Sequence, residues 1–239
     1  MTKTIVLVPG AWHGAWAFEK VVALLERAGI RAIAVDLPGH GSDQGPFKDL
    51  HGDADRVREI LDDIEGEVIL VGHSYGGAVI TEAGTHPNVA QLVYMCANVP
   101  DKDARSVETP DFSKVLASGE QPDFMSGWLS NSDGTIALTA EIVATCLYSD
   151  CDVETVQWAT SRIRTHPSRN LMQQPNQSAW KVRPSTYIVC NNDMALHPAV
   201  QRSMAARCTE VVEWDTGHSP FASRPLLVAD FLYELATAP

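Results

Sequence analysis

The most informative stretch of the chain is Val68-Ile69-Leu70-Val71-Gly72-His73-Ser74-Tyr75-Gly76-Gly77-Ala78. It opens with an apolar run typical of a strand buried on both faces, and it continues into small residues that suit a closely packed helix. Glycines two positions before and after Ser74 would let strand and helix approach each other at a sharp turn from which the hydroxyl projects. The stretch therefore predicts a nucleophilic serine. An ordinary helix-capping serine is the alternative, and the flanking patterns favour the catalytic interpretation.

Short apolar runs of the same kind recur along the chain. They are Ile5–Val8, Ala32–Val35, Val68–Val71, Leu92–Cys96, Tyr187–Cys190 and Val211–Trp214. Helical patterns lie between several of them, most clearly where Phe18, Val21 and Leu25 share one face. The alternation predicts an α/β fold: a doubly wound, mostly parallel sheet of about six strands in one domain spanning residues 1–239. Functional residues should directly follow strands, because ligands of such sheets bind beyond the strands' carboxyl ends.

Residues 100–184 break this rhythm, since they show no buried-strand pattern and are too many for a loop. Helical patterns at residues 138–147 and 153–163 predict a small helical cap inserted over the sheet edge. Most of its larger apolar side chains are expected in the cap core, and a minority should line a pocket with Trp12 and Phe221. These cap residues are Phe112, Phe124, Met125, Trp128, Leu129, Leu147 and Trp158.

A serine hydroxyl is a weak nucleophile near neutral pH and needs a base such as imidazole within reach. His218 is the predicted base, because it follows the last apolar run and should stand at the same sheet edge as Ser74. His13 is expected either to stabilise its loop by a hydrogen bond or to contact substrate. His73 is too close to Ser74 along the chain to fold back onto it. The other histidines are expected in helices, their approaches or a turn: His40, His51, His86, His166 and His197.

The base needs an acidic partner that fixes its tautomer and stabilises the imidazolium ion. Asp193 is the favoured partner, because it follows a predicted strand and gives the chain order Ser, Asp, His. Asp101, beyond the fourth run, is the alternative with a longer path to the histidine. Asp215 lies three residues before His218 and is expected to point elsewhere.

Acyl transfer also needs preorganised donors for the developing oxyanion, typically two backbone N–H groups. One is expected at Tyr75, directly after the candidate nucleophile. The other is expected at Ala11, in the loop of residues 9–14 that follows the first run. A strand-exit turn without a catalytic role is the alternative for this loop. The second glycine-rich segment, Asp36–Ser42, lacks the lysine of a P-loop, so we expect a structural turn there.

The composition limits the classes of partner. The chain has 18 Lys and Arg against 30 Asp and Glu, a formal net charge of -12, which argues against a surface that follows a phosphate backbone. Neither nucleic acid nor a membrane is expected as a partner, and the first apolar run is too short for a signal or membrane-spanning segment. Five cysteines without metal-type spacing favour free thiols in the cytoplasm. No cofactor or metal is expected, and a homodimer is compatible with the sequence.

Together these residues resemble the plant-type methylesterase and hydroxynitrile lyase branch of the α/β-hydrolases and its bacterial esterase relatives. The resemblance covers nearly the whole chain and implies an α/β-hydrolase fold acting on a small-molecule ester. The motifs that carry it are Val6-Leu-Val-Pro-Gly-Ala-Trp-His-Gly-Ala-Trp16, Asp36-Leu-Pro-Gly-His-Gly-Ser42, Gly72-His-Ser-Tyr-Gly-Gly77, Asp193 and Gly217-His-Ser-Pro-Phe221.

Departures from this branch bear on the chemistry. Its hydroxynitrile lyases use a threonine in the first loop and a lysine directly after the catalytic histidine to handle cyanide, whereas this chain has Gly10 and Ser219 there. Pro9 stands where the family often has histidine. These differences favour a serine hydrolase that cleaves a small to medium, uncharged carboxylic ester through an acyl-Ser74 intermediate. A carbon–carbon lyase and a ligand-binding protein with an idle triad are the alternatives.

Overall fold

The central sheet holds six parallel strands, numbered along the chain. The computed structural model describes residues 2–103 and 123–238. Side by side, the strands are β2 (Ala32–Ala34), β1 (Thr4–Val8), β3 (Val68–His73), β4 (Val89–Met95), β8 (Ser185–Cys190) and β9 (Glu210–Trp214). Every neighbouring pair is parallel. The predicted α/β fold with about six mostly parallel strands is therefore confirmed.

Successive side chains of a strand point to opposite faces of the sheet. Because the strands consist mostly of apolar residues, both faces of the sheet are apolar. Every residue of β1 and β3 is buried, and their pairing aligns Ile5 with Ile69 and Val6 with Leu70. Val6 and Leu70 belong to the hydrophobic cluster on one face, whereas Ile5 and Ile69 belong to the cluster on the other. Strands buried on both faces need helices on both sides.

Helices supply that cover. One face carries α1 (Glu19–Arg27) and α7 (Pro225–Thr237), and the other carries α2 (Leu50–Asp62), α3 (Gly76–Ala83) and α5 (Pro198–Ala205). Two shorter helices are α4 (Val153–Thr160) and α6 (Pro220–Ser223). None of the helices within residues 2–103 and 123–238 is long and apolar enough to cross a bilayer.

The segment between β4 and β8 differs from its prediction. Among its described residues, an antiparallel sheet is formed by β5 (Trp128–Ser130), β6 (Thr135–Leu138) and β7 (His166–Pro167). These strands are only two to four residues long, so they form no apolar run that the sequence would reveal. The segment expected as a small helical cap therefore also contains a short sheet among its described residues.

The helices expected in the same segment are present. Ala140–Ile142 is helical and continues into the π-helical turn Val143–Leu147, and α4 occupies most of the second pattern. Phe112 and the other residues of 104–122 lie outside the described residues. A cap with boundaries at 100–184 stays a prediction.

Close backbone contacts shape the turn between β3 and α3. A Cβ atom on Gly76 would lie 2.5 Å from the carbonyl oxygen of Val8 and 2.7 Å from that of Pro9. A Cβ atom on Gly72 would lie 2.6 Å from the Gly76 oxygen. Backbone atoms cannot move aside cheaply in a packed interior. The glycine spacing of the motif therefore follows from the close approach of β1, β3 and α3.

Replacing Gly76 with alanine is expected to destabilise the fold by about 2 kcal/mol or more, because the added methyl group overpacks a backbone contact. Urea unfolding followed by circular dichroism measures the change. Gly45→Ala is the matched control: Gly45 is exposed and its Cβ would meet only the Asp43 side chain, so a change of under about 0.5 kcal/mol is expected. Equal effects of the two substitutions would contradict this account of the turn.

Candidate active site

Ser74 lies at the turn between β3 and α3 in a strained backbone conformation. Its φ is 51°, in the left-handed region that costs a non-glycine residue roughly 1 to 3 kcal/mol. Its N–H donates to the Met95 oxygen at 3.2 Å. Its carbonyl oxygen accepts from Gly77 N and Asn98 N, both at 3.0 Å. The side chain is partly exposed while its two chain neighbours are buried, so the turn presents the hydroxyl at the carboxyl edge of the sheet.

The structure brings His218 and Asp193 together at the same edge. Asp193 follows β8 and His218 follows β9, and Nδ1 of the histidine donates to Oδ2 of the carboxylate at 2.7 Å. Both side chains are buried. With its proton on Nδ1, neutral His218 keeps Nε2 as an acceptor. Within the described part of the chain, Nε2 makes no hydrogen bond with the Ser74 hydroxyl; such contacts often tighten only when substrate binds.

Several groups hold the Asp193 carboxylate in place. Oδ1 accepts from the backbone N–H groups of Ala195 and Leu196, both at 2.8 Å. Oδ2 also accepts from Nε2 of Gln201 at 2.8 Å, and Oε1 of the same amide accepts from Cys190 N at 2.9 Å. Gln201 on α5 was missed from the sequence. Its signal was a polar residue on the buried face of an amphipathic helix.

The two other aspartates weighed from the sequence have different partners. Oδ1 of Asp101 accepts from Nζ of Lys181 at 2.7 Å and from Oγ of Ser178 at 2.9 Å. Oδ1 of Asp215 accepts from Nδ2 of Asn191 at 3.1 Å. The geometry therefore favours Asp193 over Asp101 as the partner of the histidine.

His73 links the nucleophile turn to His218. Nε2 of His73 donates to the His218 carbonyl oxygen at 2.8 Å, and Sγ of Cys96 donates to the same oxygen at 3.2 Å. Burial holds the pKa of His73 well below its usual value and raises that of the Cys96 thiol well above it. Ligand-type atoms of these three residues lie within 4.8 Å of one another. A protonated thiol is a poor metal ligand, so the cluster suits hydrogen-bonded support of His218 better than a metal centre.

The two candidate oxyanion donors flank Ser74. Tyr75 follows it directly, and Ala11 lies in a loop whose Gly10 would place a Cβ atom 2.9 Å from the Ser74 Cβ. Ala11 and Tyr75 are buried. Within residues 2–103 and 123–238, neither backbone N–H donates a hydrogen bond to the protein. Buried N–H groups normally have partners, so the arrangement suits an oxygen atom supplied by a ligand.

Aromatic rings border this loop. Trp12 contacts Phe124 and Trp128 at ring-centroid distances of 5.9 and 5.8 Å. Phe221 lies under the site, 4.9 Å from the His73 ring. Leu147 is buried as a core residue, and Trp158 contacts Trp16. Met125 and Leu129 are 57% and 51% exposed, so they belong to the surface and not to a cap core.

A buried carboxyl group supports Tyr75. The Tyr75 hydroxyl donates to Oδ2 of Asp53 at 2.7 Å, and Nδ2 of Asn170 approaches the same oxygen at 3.3 Å. Burial raises the pKa of Asp53 to about 7. Sequence patterns did not indicate this contact, because Asp53 occupies the inner face of α2 without any local motif.

His166 was expected in a helix or its approach, and it lies just before the 3₁₀ helix Ser168–Met172. It lies in β7, is buried, and its Nδ1 is 2.9 Å from Nε2 of His40. Its ring packs against Tyr75 at 4.7 Å. His13 makes a hydrogen bond within its own loop, from Nδ1 to the Ala11 oxygen at 2.8 Å, which agrees with the loop-stabilising alternative.

Comparisons with known proteins bear on the fold and on the class of protein. A model described as the alpha/beta hydrolase family matches residues 5–231. Methylesterase 7 of Arabidopsis thaliana is 30% identical, over 98% of this chain and 96% of the relative. Pheophorbidase of Raphanus sativus is 29% identical, over 95% and 91%. The crystal structure of a pyrethroid hydrolase from Sphingobium faniae has a TM-score of 0.83 and 27% identity, covering 100% of this chain and 99% of that one. The resemblance to plant methylesterases and bacterial relatives is thus confirmed.

The raised pKa of Asp53 makes stability depend on pH. Between the usual aspartate pKa of 3.8 and the folded-state pKa of about 7, the folded protein holds a proton that the unfolded chain has released, so stability falls as pH rises through this window. Asp53→Asn removes the ionisation. Relative to the wild type, the free energy of unfolding of the variant is expected to increase by up to roughly 4 kcal/mol from pH 4 to pH 7. Above pH 7 the difference should stay constant.

Urea unfolding at pH 5, 6, 7 and 8 measures this difference. Asp55→Asn is the control, because Asp55 lies on the same helix with its side chain 68% exposed. Parallel pH profiles for the wild type and Asp53→Asn would show that Asp53 ionises normally in the folded protein.

Proposed function

The chain belongs to the alpha/beta hydrolase family, and we propose that it hydrolyses a small to medium, uncharged carboxylic ester through an acyl-Ser74 intermediate. The observation that carries the proposal is the strained Ser74 turn at the sheet edge where the buried His218–Asp193 pair also lies. Strain at one partly exposed serine beside a base–acid pair is the arrangement expected of an activated nucleophile.

The names of the relatives support the class of reaction. A methylesterase, a pheophorbidase and a pyrethroid hydrolase each align over more than nine-tenths of both chains. The predicted class, a carboxylic ester hydrolase, is confirmed at this level. The residues that perform the reaction and the nature of the ester are our proposal.

Acylation begins with a proton transfer in this proposal. Nε2 of His218 takes the Ser74 proton while Oγ attacks the ester carbonyl carbon, and Asp193 stabilises the imidazolium ion through Nδ1. Collapse of the tetrahedral intermediate expels the alcohol, which receives the proton from Nε2. Water then attacks the acyl-serine with His218 again as base, and the acid is released. This route uses no metal or organic cofactor.

The N–H groups of Ala11 and Tyr75 are proposed to bind the oxyanion in both steps. Removal of one such donor typically costs 10²- to 10³-fold in kcat. Their support comes from burial, from their positions on either side of Ser74, and from the lack of an acceptor for either one in the described part of the chain.

An apolar ester suits the surroundings of the serine. Trp12, Phe124 and Trp128 form an aromatic group beside the oxyanion loop, and the predicted cap over residues 100–184 would roof it. Such a wall favours uncharged acyl or alcohol groups, since burying an unpaired charge is costly.

The lyase alternative fits the structure poorly. A Cβ atom at position 10 would lie 2.9 Å from both Nδ1 of His73 and Cβ of Ser74, so a threonine there requires neighbours to shift. Ser219 is completely buried, and a lysine in its place would bring a charge into the interior. Cyanide release from mandelonitrile above background would revive this alternative.

We also propose a reducing compartment, the cytoplasm, as the site of action. Its support is that all five cysteines are free thiols and three of them are buried. Buried free thiols persist where disulfides are not formed.

Ser74→Ala is expected to lower turnover of p-nitrophenyl acetate and butyrate by roughly 10⁴-fold or more, because the acyl-enzyme route is lost. Initial rates at 405 nm measure it. Ser203→Ala is the control, since Ser203 is an exposed serine on α5 and its loss should leave the rate unchanged. Equal turnover by Ser74→Ala and wild type would exclude Ser74 as the nucleophile.

A further inference from the structure

His13 makes three hydrogen bonds that together define the loop after β1. Its backbone N–H donates to the Gly10 oxygen at 3.3 Å. Its side-chain Nδ1 is 2.8 Å from the Ala11 oxygen, and Nε2 is 2.9 Å from the hydroxyl of Tyr148. Both side chains are buried. Tyr148 lies 135 residues away in sequence, directly after the π-helical turn between β6 and α4.

These hydrogen bonds determine which ring nitrogen of His13 carries the proton. A carbonyl oxygen only accepts, so Nδ1 must carry the hydrogen and donate to Ala11. Burial lowers the pKa of His13 to about 4, and the ring is therefore neutral near pH 7. Nε2 of a neutral ring protonated on Nδ1 is an acceptor, so the Tyr148 hydroxyl must be the donor. The Ala11 carbonyl thus sets the tautomer, and the Tyr148 hydroxyl donates to the nitrogen that this tautomer leaves unprotonated, which holds the ring in place.

The same bonds orient the backbone around Ala11. The Gly10 carbonyl shares a rigid peptide plane with the Ala11 N–H, and that carbonyl is held by the His13 backbone. The next peptide plane is held through the Ala11 carbonyl by Nδ1. The direction of the Ala11 N–H is therefore set from both sides by one residue.

The loop needs this support because it is strained. Trp12, between Ala11 and His13, has a φ of 67°, which is unfavourable for a bulky residue. The ring of His13 is itself confined, stacked on Trp16 at 5.3 Å and edge-on to Phe221 at 6.1 Å. Strained backbone persists only where surrounding contacts determine it.

We propose that Tyr148 and His13 are a pair of positioning residues that hold the Ala11 N–H in the direction required to bind the oxyanion. The pair joins the segment between β4 and β8 to the chemistry at Ser74, because a hydroxyl on that segment bonds to the His13 ring whose other nitrogen is bonded to the loop. This inference rests on the proposed function of Ser74 and Ala11.

The first test is Tyr148→Phe, which removes the hydroxyl and keeps the ring. The kcat for p-nitrophenyl butyrate is expected to fall roughly tenfold with little change in KM, since a misdirected oxyanion donor weakens transition-state binding. Inhibition by 1,1,1-trifluoropentan-2-one, which forms an oxyanion on the nucleophile, is expected to weaken by a similar factor. Tyr233→Phe on α7, an exposed tyrosine, is the control. A rise in KM with unchanged kcat, or unchanged ketone inhibition, would overturn the inference.

The second test separates positioning from general support of the fold. Asparagine at position 13 retains a donor near the place of Nδ1 but has no group in place of Nε2. His13→Asn is expected to lower kcat, and adding Tyr148→Phe in that background should lower it no further, because asparagine offers no group for the Tyr148 hydroxyl to bond. If the fold-decreases in kcat of the two single variants multiply in the double variant, Tyr148 acts independently of His13.

The proposed function and this inference fail differently. Wild-type protein without ester turnover, or Ser74→Ala with full turnover, would overturn the proposed function and this inference with it. An active, Ser74-dependent wild type whose Tyr148→Phe variant keeps its kcat would overturn the positioning role alone.

Discussion

The close backbone approach at the carboxyl ends of β1, β3 and β4 is the constraint on which the rest of the site depends. Ser74 is kept in a left-handed conformation by hydrogen bonds to Met95 and Asn98, which lie at the end of β4 and just beyond it. The contact of α3 with the exit of β1 is so tight that Gly76 has no room for a side chain. The strain of roughly 1 to 3 kcal/mol at the serine is therefore balanced by packing of the whole sheet.

The buried histidines around this turn differ in their hydrogen-bond partners. His13 and His73 are bonded to carbonyl oxygens and, for His13, to a tyrosine hydroxyl, and burial lowers the pKa of both. His218 instead donates to the fully buried Asp193, a partner that can stabilise a positive ring. Neutral histidines thus serve as fixed hydrogen-bonding groups, and the one beside the carboxylate is suited to exchange protons.

The sequence alone was enough to predict the sheet and to place residues directly after its strands. Buried parallel strands read as continuous apolar runs, and Ser74, Asp193 and His218 each follow one, so chain order alone implied that they share an edge. The sequence did not predict contacts that depend on packing. Asp53 reaches Tyr75 from the inner face of α2, and no local motif marks either residue as a partner. The strands β5 to β7 were missed because they are short. Periodicity reports burial and carries no information about which distant side chain supplies the hydrogen bond.

We propose that the turn and the loop after β1 together form one preorganised pair of hydrogen-bond donors for the oxyanion formed on Ser74. A crystal structure of the protein treated with a fluorophosphonate tests it most directly. The account requires phosphorus on Oγ of Ser74, with one phosphoryl oxygen about 2.7 to 3.1 Å from the backbone nitrogens of both Ala11 and Tyr75. A folded protein that stays unlabelled, a label on another residue, or a phosphoryl oxygen turned away from Ala11 would contradict it.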